Sequence, residues 1–460
     1  MNKNNFYFLG IGGIGMSALA QYFLTNGYNV AGYDKTKNNV CEILEKLNIN
    51  IHYDDNVNLI PEKFKNFENT LIIYTPAITN NNSINNELEY FKSHNFEIVK
   101  RAQVLGFIAN PHTSIAISGT HGKTSISSIC ANIMSKSIFG CSAFLGGIAN
   151  NFHSNFTLND QSDIFIVEAD EYDRSFLQLL PSTAIITHID PDHLDIYGNY
   201  ENVFQAFVDF GNKVKPNGNL IISNHVPEDF KEKIRKDIKI YKYGFEDENC
   251  DFFVNNIFYE NNKCYFNLKL QNKTIEKICY PLGGKYNLEN ALAAASASFL
   301  NGATDNEIRF GLENFLGVER RFDIKINSSK IVYIDDYAHH PNEIKSFLTA
   351  IKQLYPNKKI TGIFQPHLFS RTNDFYKEFA ESLSLCDNTI LLPIYPAREK
   401  PIPGVTSDLI LKKITKTEKQ ICEKSELLVL LRKIKPELLV TMGAGDIDQF
   451  VAKIVAQFTV

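Results

Sequence analysis

The segment Ser114-Ile-Ala-Ile-Ser-Gly-Thr-His-Gly-Lys-Thr-Ser125 joins an apolar strand directly to a glycine-rich loop. Its isoleucines predict the strand, and its two glycines allow successive backbone N–H groups to turn towards an anion. Lys123 would add a mobile ammonium group, and Thr124 would offer a hydroxyl to a magnesium ion at the start of a helix. The segment therefore predicts a binding site for a nucleoside triphosphate.

This loop is a shortened form of a common phosphate-binding pattern. The first glycine of G-x-x-x-x-G-K-[ST] would fall on Ile117, so the match is to Gly-Thr-His-Gly-Lys-Thr. The alternative is a plain strand-to-helix turn with a solvent-exposed lysine, but here the strand, glycines, lysine and threonine follow in the order that a phosphate site needs. The residues predicted to bind the nucleotide through this loop are Gly119, Thr120, His121, Gly122, Lys123, Thr124 and Ser125.

A second glycine-rich junction lies near the start of the chain. Phe6–Leu9 predicts a strand, Gly10-Ile-Gly-Gly-Ile-Gly15 follows it, and the next predicted strand ends at Asp34. In dinucleotide-binding folds such glycines admit a pyrophosphate, and the acidic residue takes a ribose hydroxyl. NAD and a UDP-linked sugar both carry a pyrophosphate, so the pattern leaves both open. The residues predicted to bind this ligand are Gly12, Gly13, Ile14, Gly15 and Asp34.

Two further strands of the middle segment end in side chains that suit a metal ion. Asp163–Val167 is almost entirely apolar, which is typical of a strand buried on both faces, and Glu168 follows it. The strand Thr183–Thr187 leads into a loop in which His193 follows Asp192. Because buried parallel strands deliver their terminal side chains to the ligand crevice, we predict that Glu168 and His193 bind metal. A solvated acidic loop and a structural histidine are the alternatives.

The end of the middle segment carries two more candidate groups. Gly283 and Gly284 open a helix of small residues, in which Asn290 is a candidate for contact with an adenine edge. Arg320 and Arg321 follow in a stretch that we interpret as a hinge.

The last third of the chain alternates strands with helical stretches, which predicts a doubly wound parallel sheet. Polar residues follow its strands, on the edge where open α/β sheets bind ligands. Pro341 predicts the first turn of a helix, so at least one of His339 and His340 should face the crevice, unless both belong to a capped surface helix. The predicted strands are Ile331–Ile334, Lys359–Phe364, Asn388–Leu392 and Glu437–Thr441.

Composition sets the outer limits. With 460 residues, a net charge of −5 and a pI of about 6.2, the chain predicts about three domains and no nucleic-acid partner. No apolar run reaches the length of a membrane span, and no targeting segment is recognisable, so no membrane partner is expected. The eight cysteines form no C-x-x-C pair and are predicted to be reduced core residues of a cytoplasmic protein.

Taken in order, these motifs resemble those of the Mur ligases over the full length of the chain. Each motif alone is weak evidence, whereas the ordered set is specific to the family. The matching residues are Gly10–Ser17, Gly119–Ser125, Glu168–Glu171, Asp192–Tyr197, Asn287–Ala291, Arg320–Phe322, Asp335–Pro341, Phe364–His367 with Arg371 and Thr372, and Tyr395–Ala397 with Pro401–Gly404.

The resemblance implies three α/β domains. A Rossmann-like domain over residues 1–109 would bind a UDP-sugar, a central P-loop ATPase-type domain over 110–322 would bind ATP, and a doubly wound Rossmann-like domain over 323–460 would bind an amino acid. The implied reaction joins L-alanine to the lactyl carboxylate of UDP-N-acetylmuramic acid through an acyl phosphate, releasing ADP and phosphate, in the synthesis of peptidoglycan precursors. The implied cofactors are ATP and two Mg²⁺ ions, and the implied state is a monomer or weak homodimer.

The resemblance also assigns roles to single residues. Lys123 and the loop backbone would hold the β- and γ-phosphates, Thr124 and Glu168 one magnesium ion, and His193 with Glu168 a second. The remaining assignments are Asn290 to adenine, Arg321 to the phosphates, Asp336 to the ATP ribose, and Tyr337, His339, His367 and Arg371 to the alanine. The predicted catalytic residues are Lys123, His193, Arg321 and His339.

The chain departs from the family pattern in a few places. Leu368 stands where the family usually has arginine, so Arg371, or Arg398 in the loop after Tyr395, would have to bind the substrate carboxylate alone. Glu319 stands at a place where a small residue is more common, and Tyr172 stands in place of a commoner serine.

Three other functions remain as alternatives. A ligase that attaches a tripeptide to the same nucleotide sugar during cell-wall recycling would need a wider third-domain pocket, against which the Gln-Pro-His and Asp-Tyr-Ala-His-His motifs argue. An NAD-dependent oxidoreductase would use only the first glycine-rich junction. A nucleotide-gated binding protein would bind ATP without any turnover that depends on an amine.

Overall fold

The computed structural model describes residues 3–79, 85–397, 399–415 and 418–459. The chain forms two compact units. The first consists of Met1–Val254, Leu268–Ile275 and Asn290–Leu312, and the second of Asn255–Asn267, Glu276–Glu289 and Glu313–Val460.

The chain begins with a five-stranded sheet in the order β3-β2-β1-β4-β5, and all its neighbouring strands are parallel. The central strand is buried throughout, with Phe6 and Phe8 in one apolar cluster and Tyr7 and Leu9 in another. The glycine-rich turn that follows this strand therefore starts from a rigid base. The elements are β1 (Asn5–Leu9), α1 (Ile14–Thr25), β2 (Asn29–Tyr33), α2 (Asn39–Lys46), β3 (Asn50–His52), β4 (Thr70–Tyr74), α3 (Asn86–Ser93), β5 (Glu97–Lys100) and α4 (Arg101–Ala109).

A ten-stranded sheet follows, in the order β15-β14-β13-β12-β11-β10-β6-β9-β7-β8. Its middle strands are parallel and almost entirely buried, and their carboxyl ends lie at one edge. The elements are β6 (Thr113–Ser118), α5 (Lys123–Met134), β7 (Ser142–Ala149), β8 (Ser154–Thr157), β9 (Ile164–Glu168), β10 (Thr183–Ile186), α6 (Leu194–Tyr197), α7 (Tyr200–Gly211), β11 (Asn219–Ser223), β12 (Lys239–Phe245), β13 (Phe252–Glu260), β14 (Lys263–Leu270), β15 (Lys273–Tyr280), α8 (Lys285–Leu300) and α9 (Asp305–Glu313).

The last sheet has six strands in the order β16-β17-β21-β18-β19-β20. Only the β16–β17 pair among its described pairs is antiparallel. The elements are β16 (Asp323–Asn327), β17 (Val332–Asp336), α10 (Pro341–Leu354), β18 (Ile360–Phe364), α11 (Phe369–Leu383), β19 (Asn388–Leu391), α12 (Asp408–Leu411), β20 (Glu418–Ile421), α13 (Leu427–Ile434), β21 (Leu438–Met442) and α14 (Val451–Phe458).

The structure contains every strand that the sequence predicted, to within two residues at each end. It also contains strands that were not predicted, including β13 and β20. In β13 only Phe252 and Val254 are buried, and β20 has no buried residue, so neither forms the continuous apolar run that marks the central strands.

Two global properties follow from the described residues. None of their helices is long and apolar enough to cross a membrane. All eight cysteines belong to the described residues and are free, and seven of them are buried.

Candidate active site

The loop between β6 and α5 depends on two glycines with left-handed backbone angles. Gly119 has φ +127°, and a Cβ there would lie 2.1 Å from Thr187 Oγ1. Gly122 has φ +83°, and a Cβ there would lie 2.5 Å from Asn290 Oδ1. No other residue type fits these positions without strain. Asn290, the predicted adenine-binding residue, therefore lies next to the loop.

Hydrogen bonds fix this loop to the segment that follows β10. Thr120 Oγ1 donates to Asp190 Oδ2 at 2.7 Å, and the Thr120 N–H donates to the His188 carbonyl at 3.1 Å. Thr187 Oγ1 donates to the His121 carbonyl at 2.6 Å, and His121 Nε2 lies 3.4 Å from Asp190 Oδ2. The loop is therefore held in shape before any ligand binds.

Lys123, the first residue of α5, has two hydrogen-bond acceptors. Its Nζ donates to the Gly119 carbonyl and to Glu171 Oε1, both at 2.7 Å. Glu171 is only 2% exposed, and burial raises the pKa of its carboxyl while the ammonium of Lys123 opposes that rise. Sequence reasoning missed Glu171, because the Glu-Ala-Asp-Glu segment offered several carboxylates and only Glu168 lay at the strand end.

Glu168 is the last residue of β9 and pairs in register with Ile117 of β6. Gly146 on the neighbouring strand leaves room for its carboxylate, since a Cβ there would lie 2.2 Å from Glu168 Oε2. Within the described part of the chain that buried oxygen has no hydrogen-bond partner. Thr124, 4% exposed, lies in the first turn of α5. A hydroxyl and an unsatisfied carboxylate oxygen are donors that suit Mg²⁺.

His193 lies at the start of α6 in a left-handed conformation, with φ +53°. Its N–H donates to Asp192 Oδ1 at 2.8 Å, and its ring meets the Tyr172 ring edge-on at 5.2 Å. The described residues contain no group of three His, Cys, Asp or Glu side chains arranged to hold a metal ion. The role of His193 as a second metal ligand therefore stays a prediction.

In the first glycine-rich junction Asp34 supports the loop itself. Asp34 Oδ2 accepts from the Gly12 N–H at 2.8 Å, and Oδ1 accepts from the Thr36 N–H at 3.0 Å. A Cβ on Gly12 would lie 2.5 Å from Cys41 Sγ, so the loop passes close to α2. Gly13 caps α1 without a side chain. The loop thus presents backbone rather than side chains to a ligand.

Arg101, the first residue of α4, is a functional candidate that sequence reasoning missed. Its guanidinium lies over Gly15, where a Cβ would be 1.9 Å from Nη1. Its Nη2 donates to Asp170 Oδ2 at 3.1 Å. In the sequence this arginine follows a strand without any motif around it, so no local signal marked it.

In the second unit, aromatic and histidine side chains gather after β17. The Tyr337 and His339 rings are 5.1 Å apart, and His339 Nδ1 contacts the Tyr337 carbonyl at 3.0 Å. Glu343 Oε2 accepts from the His339 N–H at 3.0 Å. Burial lowers the pKa of His339, and Glu343 opposes that effect. The imidazole of His339 is therefore neutral at a lower pH than that of a histidine in water.

The same cluster continues to the end of β18. The His367 ring lies 6.3 Å from that of His339 and stacks on Tyr395 at 5.7 Å. Burial lowers the pKa of His367, and the nearby cation of Arg371 lowers it further. Arg371 Nη1 and His367 Nδ1 are both buried, and neither has a hydrogen-bond partner in the described residues. These two atoms are therefore available for hydrogen bonds with a polar ligand.

Leu368, which replaces the usual arginine, occupies an uncommon backbone conformation with φ +74° and ψ 138° at the start of α11. Its N–H donates to the Tyr395 carbonyl at 3.0 Å, and its carbonyl accepts from Thr372 Oγ1 at 2.8 Å. These bonds hold the turn that presents Arg371. Strained positions of this kind cluster at ligand sites. Arg398, the alternative carboxylate partner, lies outside the described residues.

Asp336 and Arg321 also belong to the second unit. The carboxylate of Asp336 accepts from the Phe322 N–H at 2.7 Å and from the Ala338 N–H at 2.8 Å. Removal from water raises the pKa of Asp336 to about 7, and these two donors act against that rise. Arg321 is exposed. The predicted roles of both residues in nucleotide binding rest on the resemblance.

Comparisons with known proteins show which family the chain resembles. Three family models match the chain: "Mur ligase family, catalytic domain" over residues 5–113, "Mur ligase middle domain" over 117–298, and "Mur ligase, glutamate ligase domain" over 320–445. Together they give the chain the three-domain architecture of the family.

The chain is also similar to whole proteins. It is 44% identical over 449 residues to a UDP-N-acetylmuramate–L-alanine ligase of Phocaeicola vulgatus, covering 97% of this chain and 96% of the relative. It is 45% identical over 445 residues to the ligase of the same name from Parabacteroides distasonis, covering 97% and 95%. The crystal structure of a UDP-N-acetylmuramate-alanine ligase, MurC, from Thermotoga maritima matches with a TM-score of 0.82 at 26% identity over 99% of both chains. This chain belongs to the Mur ligase family.

Proposed function

We propose that this protein is an ATP-dependent ligase that joins L-alanine to the lactyl carboxylate of UDP-N-acetylmuramic acid, a step of peptidoglycan precursor synthesis. One observation carries the proposal: a hydrogen-bonded phosphate loop that ends at Lys123 lies in a chain that is 44% identical, over 97% of its length, to a ligase named for this reaction.

The loop suits the first half of the reaction. A lactyl carboxylate oxygen attacks the γ-phosphorus of ATP and ADP leaves, so two anions must approach each other and cations must lie between them. Lys123 supplies one such cation, and Arg321 is the second that we assign. Thr124 and Glu168, with His193 as a further ligand, would hold Mg²⁺, which when bound neutralises phosphate charge. Asn290 is assigned to adenine, and Asp336 to the ribose.

The second unit suits the second half. The alanine amine attacks the acyl carbon, and the bond to the phosphate oxygen breaks. The amine must first lose a proton, and His339 is the base that we assign, because its lowered pKa favours the neutral imidazole. Arg371 would bind the alanine carboxylate through its planar guanidinium, beside Tyr337 and His367.

We assign the first junction to the nucleotide sugar, because the relatives of the chain are named for UDP-N-acetylmuramate. In the dinucleotide pattern the acidic residue takes a ribose hydroxyl. Here both oxygens of Asp34 already accept backbone N–H groups, so Asp34 shapes the loop that would receive the diphosphate. We assign Gly12 to Gly15 to the diphosphate. The boundaries of the three domains, the cytoplasmic location and the monomeric or weakly dimeric state stay predictions.

The reaction can be tested with purified protein, ATP, Mg²⁺, UDP-N-acetylmuramate and L-alanine. We expect phosphate release that requires both the nucleotide sugar and the amine, together with a product whose mass equals UDP-N-acetylmuramate plus alanine minus water. Replacing alanine by the tripeptide L-alanyl-γ-D-glutamyl-meso-diaminopimelate tests the recycling alternative. Turnover with the tripeptide alone, or hydride transfer to NAD, would contradict the proposal.

A further inference from the structure

Arg101 contacts two parts of the first unit that serve different predicted ligands. Its guanidinium covers Gly15 in the loop assigned to the nucleotide sugar. Its Nη2 donates to Asp170, which lies between the predicted metal ligand Glu168 and Glu171, the partner of Lys123. One side chain of α4 therefore joins the diphosphate loop to the acidic segment beside the phosphate loop.

The surroundings of Arg101 favour an anion. The first turn of α1 contains no acidic residue, and its cap Gly13 has no side chain. The carboxylate of Asp34 accepts from the N–H groups of Gly12 and Thr36. The guanidinium is thus placed against the positive end of a helix, and Asp170 is the only carboxylate within 4 Å of it among the described residues. The guanidinium and the N-terminus of α1 are both positive, so an anion bound between them would stabilise their arrangement.

We propose that Arg101 binds the diphosphate of the nucleotide sugar and that Asp170 is a positioning residue that fixes its guanidinium. The inference rests on the proposed function, because that function places the diphosphate at Gly12 to Gly15. A guanidinium has five N–H donors in a planar fork, so it can keep its bond to Asp170 while it donates to phosphate oxygens.

The structure supplies a matched control in the adjacent residues. Lys100 Nζ donates to Asp173 Oδ2 at 2.9 Å, between the same two segments as the Arg101–Asp170 pair. Lys100 and Asp173 both line a cavity of about 320 Å³, and no residue of the glycine-rich loop lines it. The Lys100 side chain is 46% exposed, against 23% for Arg101. If Arg101→Ala acted only by weakening the contact between these two segments, Lys100→Ala should weaken UDP binding as well.

The first experiment compares the affinities of UDP and uridine by calorimetry in wild type, Arg101→Ala and Lys100→Ala. Loss of a charge-assisted hydrogen bond should weaken UDP binding on the order of 10- to 100-fold in Arg101→Ala and leave uridine binding unchanged. Lys100→Ala should bind both within about twofold of wild type, the scale of an exposed ion pair. Arg101→Lys should recover only part of the UDP affinity, because an ammonium lacks the planar fork.

A second pair of variants moves the guanidinium without deleting it. In Gly15→Ala the new Cβ would occupy the position of Arg101 Nη1, while alanine favours the helix more than glycine does. We expect UDP binding to weaken to the level of Arg101→Ala with no loss of melting temperature. The double variant Gly15→Ala/Arg101→Ala should be no weaker than either single variant. Asp170→Asn should weaken UDP binding by several-fold in wild type and not at all in Arg101→Ala.

The outcomes separate this inference from the proposed function. Equal UDP affinity in Arg101→Ala and wild type, or an equal loss for UDP and uridine, would overturn the role of Arg101 and leave the ligase intact. A wild-type protein that binds neither UDP nor UDP-N-acetylmuramate would instead overturn the proposed function.

Discussion

The two cations that we assign to substrate anions differ in their hydrogen-bond partners within the described residues. Lys123 already donates to Glu171 and to the Gly119 carbonyl, whereas Arg371 has a buried Nη1 without a partner in the described residues. To bind phosphate, Lys123 must exchange or share partners. The Nη1 atom of Arg371 is already shielded from water and would gain a hydrogen-bond partner when a ligand binds.

This difference separates the expected effects of the two cations. An exchange of partners contributes little to net binding, so Lys123 should act mainly on the transition state, where negative charge accumulates between the lactyl oxygen and the γ-phosphate. An unsatisfied buried donor contributes to binding itself. Lys123 should therefore control kcat, and Arg371 should control the KM for alanine.

The largest expected effect is that of Lys123→Ala. Removing one preorganised cation should lower kcat on the order of 100-fold or more. Steady-state phosphate release measures it. The melting temperature should also fall, because the buried carboxylate of Glu171 loses its cation. Lys136→Ala, an exposed lysine just beyond the other end of α5, is the matched control and should keep wild-type kcat. Near wild-type turnover of Lys123→Ala would contradict the assignment of the loop to ATP.

Next in size is Arg371→Ala. Loss of a charged hydrogen bond to the substrate carboxylate should raise the KM for L-alanine by ~10²-fold and leave the KM for ATP nearly unchanged. Arg371→Lys should recover only part of this loss. If Arg371→Ala leaves the alanine KM unchanged while Arg398→Ala raises it, the carboxylate anchor lies in the loop after Tyr395.

The next prediction compares two glycines that have the same backbone angle φ, and its expected effects are smaller. Gly122 and Gly27 both have φ +83°, but a Cβ on Gly122 would meet Asn290 at 2.5 Å, whereas one on Gly27 would have no atom within 4 Å. Gly27→Ala should destabilise the fold by about 1 kcal/mol through backbone strain alone. Gly122→Ala should in addition raise the KM for ATP by roughly tenfold. Equal KM values for ATP in the two variants would mean that the close approach of Gly122 to Asn290 does not affect the binding of ATP.

The smallest effect is expected for Glu171→Gln. If Glu171 competes with phosphate for Lys123, removing its charge should tighten ATP binding by about threefold, because the neutral amide oxygen still accepts a hydrogen bond from Lys123 and most of the exchange of partners cancels. Calorimetric titration of ATP without the other substrates measures it, and Asp173→Asn is a control carboxylate in the same segment. Weaker ATP binding in Glu171→Gln would show that Glu171 holds Lys123 in its working position.

The sequence predicted the elements better than the contacts between their side chains. Buried parallel strands and glycine-rich turns leave local patterns, so the phosphate loop, the strand ending at Glu168 and the proline that opens α10 were all located. The pairs Lys123–Glu171 and Arg101–Asp170 join residues 48 and 69 positions apart. No local pattern encodes such pairs, because each depends on how two distant segments fold together.

The position of Asp34 could be predicted from the sequence, but its contacts could not. The motif predicted an acidic residue at the end of β2, and the structure has it there. Its hydrogen-bond partners, the Gly12 and Thr36 N–H groups, could not be predicted, since the same motif serves ribose recognition when those donors point elsewhere.

The central claim is that the lactyl carboxylate is activated as an acyl phosphate, and an oxygen label tests it most directly. UDP-N-acetylmuramate carrying ¹⁸O in both lactyl carboxylate oxygens would be turned over with ATP and L-alanine, and the released phosphate analysed by mass spectrometry. The account predicts one ¹⁸O atom in every phosphate released, because the bond that breaks lies between the acyl carbon and that oxygen. Phosphate without ¹⁸O would show that water attacks ATP and would contradict the ligase mechanism.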